Sequence, residues 1–414
     1  MFANVARSRL LPMSVPFRYF GAAAAFQVAA WALLAAFSGE ILAFGIGLGP
    51  VFAALHLVTL GVLAMSAIGA TLQLLPVATR QPVRALWAVK LLWWLLVPGV
   101  VLFAWAGATY RPLALGPATM LVVLALLIYS VLLARNLWEA RGMKAVVAHG
   151  WAALGCLLAL AAMGFLLVGR YEHGWAIDHL ALRKAHLVLA TFGFMGLLAA
   201  GLSGFLLPML ALAPPPPKRW TYAVLSLSVV GILLGSFGFL LPGAATGLAA
   251  AVLHVAAMER SLRARLRPAL GPSFVLVRVS WACLIASLVL AMLDFPGGPL
   301  LFGVLLVPGW LLTFLLGVLQ RIVPFLGSVH AFTAAGGTPL VSALTPAPLL
   351  GLHGALHLAA LGGLALGIVT RNALLVHAGT VAGLAASVAF AAFFVFVVVR
   401  IRHGIQPPHQ PAPA

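Results

Sequence analysis

The chain has 414 residues, of which 64% are hydrophobic and only 7% charged, so it cannot present the mixed-charge surface that a soluble domain of this size needs. Its net charge of +18 is not gathered into one patch or element, which excludes a nucleic-acid surface; the basic residues stand between apolar segments, as expected of cytoplasmic loops in a membrane protein. The two cysteines, Cys156 and Cys283, lie far apart inside apolar runs, so no disulfide framework and no paired-cysteine metal site is available, and both read as packing residues.

Arg7, Arg9 and Arg18 precede the first apolar run, which has no small-residue cleavage site after it and reads as a retained helix over residues 19–38. Further apolar segments follow at 50–77, 86–107, 113–134, 146–168, 185–212, 220–241, 243–258, 273–293, 298–326, 342–369 and 373–400. At ~1.5 Å per residue, about 20 residues cross a hydrocarbon core of ~30 Å. Helix is the required state, because a strand with open edges leaves its backbone groups without partners in lipid. The fold class is therefore an all-α integral membrane protein of about twelve transmembrane helices.

Placing the N-terminus in the cytoplasm assigns Arg80, Arg84, Arg135, Arg141, Lys144, Lys218, Arg219 and the Arg260, Arg263, Arg265, Arg267 group to that side. The opposite side keeps Arg111, Arg170, Arg183, Lys184 and Arg371 while gaining Glu40, Glu172, Asp178 and Asp294. This bias predicts a multi-pass protein of a bacterial inner membrane with both termini cytoplasmic. The longer connections are an outer one around 169–184 and an inner one around 327–341; Pro214 to Pro217 form a stiff connector. Residues 1–402 read as one polytopic domain, and 403–414 as a disordered cytoplasmic tail.

A repeat underlies the segments. The second opens its polar stretch with His56-Leu-Val-Thr-Leu-Gly61 and closes with Gly69 and Pro76; the sixth has His186-Leu-Val-Leu-Ala-Thr191, then Gly201 and Pro208; the tenth has Gly317 and Pro324. The glycine stands seven residues before the proline each time, which predicts three pseudo-symmetric units of about four helices. Glycine and proline are common in membrane helices, 42 and 27 here, so the shared His-Leu-Val is what favours true repetition.

Of twelve histidines, His403 and His409 fall in the tail, His173 and His179 in an outer loop and His149 at a helix start; these five are expected to face water. An imidazole inside the membrane needs a hydrogen-bond partner, an ion or a metal. His56, about six residues or ~9 Å into its helix, and His186 are near the outer ends of two long helices, where two imidazoles on facing helices can hold a haem by both axial positions; the alternative is a histidine bonded to a neighbouring carbonyl. His353 and His357 stand at i and i+4 on one helix face, a spacing that suits either metal chelation or a buried polar stripe. His377 could add a ligand from the outer end of the last segment. The six acidic residues all fall near helix ends or loops, which argues against a proton-coupled pump. Trp87, Trp93 and Trp94 read as interfacial anchors and core.

The order His56, Gly69, Pro76 resembles the second helix of the heme-copper oxidase subunit I superfamily, whose second, sixth and tenth helices belong to three pseudo-symmetric arcs. Phe17-Arg18-Tyr19-Phe20 before the first helix, together with His56 and the glycine-rich helix ends, is also similar to the NnrS family, which is linked to nitric oxide metabolism. These resemblances cover the whole chain in topology and short motifs in sequence. They imply a membrane protein with b-type haem, His56 as the family-matched ligand and His186 as this chain's own partner, acting in electron transfer or diatomic-gas handling. The oxidase pattern of further histidines in helices six, seven and ten is missing, with Val304 at the place equivalent to His56, so a complete oxygen-reducing centre is not expected and copper is an open possibility rather than an expectation. Two other functions fit the same residues: a transporter or metal-assembly protein without haem, using His353 and His357, and a cofactor-less subunit of a respiratory complex. Expected partners are the lipid bilayer and a redox partner or respiratory complex; no catalytic residue is assigned.

Overall fold

The computed structural model describes residues 11–45, 47–83, 85–331 and 340–402. Among them there is no strand, and twelve helices are long and apolar enough to cross a membrane: α1 (Ser14–Ala36), α2 (Pro50–Thr79), α3 (Leu86–Ala108), α4 (Pro112–Trp138), α5 (Lys144–His173), α6 (His179–Ala211), α7 (Lys218–Ser236), α8 (Leu240–Arg263), α9 (Pro272–Leu290), α10 (Gly298–His330), α11 (Ala347–Val369) and α12 (Ala373–Arg402). Successive helices alternate in direction. The end at which α1 begins is called the basic end below.

Helix ends differ from the hydropathy reading by up to about six residues, and two of the differences have a clear cause. The segment Phe17 to Phe20 lies inside α1 rather than before it, because Tyr19 is fully buried and its hydroxyl donates to the Val89 carbonyl at the start of α3, 3.0 Å away. The helix α5 continues through Arg170 to His173, which shortens the connection to α6 to residues 174–178; Asp178 then caps α6 by accepting the Leu180 and Ala181 N–H groups at 3.0 Å. The expectations made for Arg7, Arg9, Arg84, His403, His409, the tail and residues 332–339 fall outside the described residues. At the basic end Trp87, Trp94 and Trp138 are exposed, and Arg18 lies over Trp93 at 5.4 Å, the amphipathic composition of a membrane interface.

The helices α2, α6 and α10 share an internal plan. Each changes from α- to π-helical winding for eight residues, Leu57–Ala64, Leu189–Gly196 and Leu305–Leu312, and returns to α. Gly61, Gly193 and Gly309 hold the fifth position of these stretches; Gly69, Gly201 and Gly317 follow eight residues later, then Pro76, Pro208 and Pro324. Each glycine receives a side chain of the preceding helix. A β-carbon on Gly61 would lie 2.7 Å from Phe26 Cγ, on Gly193 2.8 Å from Cys156 Cβ, and on Gly309 3.1 Å from Cys283 Sγ. At the second glycine the contacts are Tyr19 Cβ at 2.7 Å, His149 Cβ at 2.6 Å and Leu276 Cβ at 3.2 Å.

The spacing explains the π winding. Tyr19 and Phe26, His149 and Cys156, and Leu276 and Cys283 are each seven residues apart, two turns of α-helix, so they stay on one face. The glycines that meet them are eight apart, and an unbroken α-helix would rotate one of them away by most of a quarter turn. A π stretch absorbs the additional residue and returns both glycines to the contact face. Both cysteines are thereby placed as packing residues.

The remaining helices pair as close hairpins. A β-carbon on Gly99 of α3 would meet the Val122 nitrogen of α4 at 3.1 Å, one on Gly231 of α7 the Gly243 oxygen of α8 at 3.1 Å, and one on Gly363 of α11 the Gly379 Cα of α12 at 2.8 Å. Small residues at these crossings let backbones touch, which replaces the hydrophobic effect as the source of helix association in lipid.

Candidate functional site

His56 closes the first α-helical turns of α2, one residue before the π stretch. Its Nδ1 lies 2.9 Å from the Phe52 carbonyl, so Nδ1 carries the hydrogen and donates, and Nε2 keeps its lone pair. Nε2 makes no hydrogen bond among the described residues. The ring packs against Phe52 at 4.2 Å and against Phe103 of α3 at 5.0 Å, which fixes its plane.

His186 stands three residues before the π stretch of α6. Its Nδ1 is buried without a hydrogen-bond partner, and its Cε1 would lie 3.5 Å from a β-carbon placed on Gly164 of α5. Among the described residues His186 makes no hydrogen bond and no ring contact with His56. The π stretches also set the register between the helices: His56 corresponds to Val188 and Val304, whereas His186 corresponds to Ala54 and Phe302. The two histidines are thus not equivalent, being offset by two residues despite the shared His-Leu-Val.

His353 and His357 of α11 are fully buried and nearly parallel, with centroids 6.1 Å apart and planes at 18°. Both are tied to α10. The Thr313 hydroxyl donates its one hydrogen to the Pro308 carbonyl at 2.7 Å, so its oxygen accepts from His357 Nε2–H, also at 2.7 Å. The Gln320 amide donates to His353 Nδ1 at 2.8 Å. Among the described residues His353 Nε2, His357 Nδ1 and Gln320 Oε1 are left buried without partners. His377 is exposed at the far end of α12 and bonds Ser38 at 2.9 Å, so its bond lies outside this pair.

The expectation that His149 faces water is corrected: it is 1% exposed, because α5 presses it onto the bare surface of Gly201. Its Nδ1 donates to the Ala145 carbonyl at 2.9 Å, and Nε2 is buried without a partner. His254 of α8 lies within electrostatic reach of it and bonds Ser203 of α6 at 3.3 Å. The glycine seven residues before Pro208 was the only sequence signal for this site, since a glycine seat implies a side chain seated on it. Near the basic end, His330 bonds Gln73 of α2 at 3.0 Å.

Among the described residues no three His, Cys, Asp or Glu side chains gather as a metal-binding group. A cavity of about 440 Å³ lies between α6, α7, α8, α9 and α10, with His254 in its wall. The donor chemistry of His56 and His186 fits a bis-imidazole haem: one ring is oriented by a carbonyl with its second nitrogen bare, the other has a buried nitrogen lacking a partner. No protein-family model matches the sequence, and comparison with curated proteins finds no match.

Proposed function

We propose that this multi-pass membrane protein binds a b-type haem through His56 and His186 and serves electron transfer or the handling of a diatomic gas such as nitric oxide. In this reading it is a divergent relative of the heme-copper oxidase and NnrS-like proteins, built from three four-helix units, in a bacterial inner membrane with its basic end cytoplasmic. The carrying observation is the state of the two imidazoles on α2 and α6: the Phe52 carbonyl holds His56 with Nε2 bare, and His186 buries a nitrogen that no described protein group satisfies. Burying such a nitrogen costs about 1–3 kcal/mol unless a ligand or ion completes it. The three matching π stretches and glycine seats support the repeated architecture. A haem held by both imidazoles would supply a one-electron couple, and it would take a small ligand only where one imidazole gives up its place. With Val304 in place of a histidine in α10 and none in α7, the chain lacks the donors of a complete oxygen-reducing centre.

The test is a dithionite-minus-oxidised spectrum of protein purified from haem-replete cells. Soret and alpha bands of six-coordinate haem are expected; their absence overturns the reading.

A specific observation favours a second reading, a transporter or metal-assembly protein without haem: His353 and His357 bury two ring nitrogens that no described protein group uses. A colourless preparation containing stoichiometric copper or zinc supports it. A colourless, metal-free preparation that co-purifies with an oxidase or reductase points instead to a cofactor-less subunit of a respiratory complex.

A further inference from the structure

The cavity between α6 and α10 is long and narrow. Along α8 it runs from Leu240 to His254, fourteen residues or ~21 Å of helix rise. Its volume of about 440 Å³ over that length accommodates an extended hydrocarbon chain. One wall is made of α7 and α8 at their close crossing, with the small residues Gly231, Gly235, Gly243, Gly247, Ala250 and Ala251.

Its two ends differ. The mouth, at the end of the bundle opposite the basic end, is rimmed by the exposed residues Lys184, Asp294, Leu240 and Leu293, so that a tail can pass out along leucine. At the foot stands His254, edge-on to Trp281 at 6.2 Å and near Phe314. The Ser203 hydroxyl donates to the Ala200 carbonyl at 3.0 Å, so it accepts from His254 Nε2–H at 3.3 Å. His254 Nδ1 therefore carries a lone pair, and it makes no hydrogen bond among the described residues. A hydrocarbon terminus at the foot would leave that nitrogen unsatisfied in an apolar setting. A hydroxyl would complete it.

We propose that this cleft binds a lipid-soluble hydroxyarene with a single hydrocarbon tail, the chemistry of a quinol. The aromatic head lies at the foot beside Trp281 and donates its hydroxyl to His254, and the tail runs along the glycine wall to the mouth. Ser203 and His186 are seventeen residues apart on α6, ~25 Å by helix rise, so the head at the foot is remote from the proposed haem ligand, whereas the mouth at Lys184 lies beside it; the quinol-against-ether comparison reads the foot alone.

The test uses full-length protein in lipid nanodiscs with tritiated 2-decyl-1,4-benzoquinol, kept reduced, and its dimethyl ether, which has the same shape without the O–H donors. One quinol is expected per chain, bound about fivefold more tightly than the ether. Replacing His254 with phenylalanine (His254→Phe) removes that preference while ether binding persists. Ala200→Leu and Ala250→Leu, which fill the slot from α6 and from α8, each weaken binding of both probes more than tenfold in variants that elute as the wild type does. Equal affinity of quinol and ether for the wild-type protein overturns the proposal without recourse to any variant. So does undiminished binding in both filled variants, or a tightly held phospholipid, detected by native mass spectrometry, that the quinol does not displace.

Discussion

His56 and His186 near one end of the bundle, and His353 and His357 within α11, are both histidine pairs in the membrane, yet they are held in opposite ways. His56 is tied to a carbonyl of its own helix, and neither it nor His186 makes an interhelical hydrogen bond among the described residues. His353 and His357 share one helix and spend their hydrogen bonds on α10, through Gln320 and Thr313. The first arrangement leaves donors available to a ligand; the second joins two helices. A histidine in a membrane is thus better judged by which element it is bonded to than by its depth or its spacing from another histidine.

The strongest way to break this contrast is to remove one imidazole from each pair. His56→Ala or His186→Ala is expected to abolish the low-spin haem spectrum entirely, whereas His357→Ala keeps it, as checked by reduced-minus-oxidised spectra of the purified variants. If both single variants at the first pair retain the spectrum, the ligand assignment is wrong.

Stability sharpens the same comparison from the other side. Thr313→Val strands the His357 Nε2–H, and the cost should be about 1–3 kcal/mol in reversible unfolding from mixed micelles. Adding His357→Leu should recover part of the loss, because an apolar pair leaves no donor unsatisfied. A Thr313→Val protein as stable as the wild type would mean that the bond to α10 does not clamp the helices.

A third histidine tests the glycine seats. Gly201→Ala drives a methyl group toward His149 Cβ, 2.6 Å from the ideal position, and should destabilise by about 1–3 kcal/mol. The smallest effect is expected at Gly204, three residues on in the same helix, where a β-carbon meets nothing within 4 Å; Gly204→Ala should change stability by no more than about 1 kcal/mol, in the stabilising direction. Equal costs at the two positions would remove the case for seating.

Much of the architecture was legible in the chain. All twelve hydropathy segments correspond to spanning helices, because crossing lipid demands both length and apolar composition and leaves little else to choose. The Gly–Pro spacing also pointed to α2, α6 and α10 as related elements. Less was legible at the sites. His149 sits at a helix start, which suggested water, but the helix face it occupies meets Gly201, and a face is set by the partner helix. His56 and His186 looked equivalent from three shared residues, while the π stretches displace them by two positions.

The sequence by itself determined that the protein spans a membrane many times, which helices carry the glycine and proline marks, and which histidines lie in apolar segments. These are properties of composition and spacing along one chain. Tertiary structure alone decided where π winding absorbs a residue, which side chains rest on each glycine, and which histidines are bonded within a helix or across two. The reason is that an α-helix offers lipid and protein several faces of similar hydrophobicity, so periodicity gives little indication of which face is inside. Only the packing of the neighbouring helix, and the hydrogen bonds a buried polar group must find there, makes that choice.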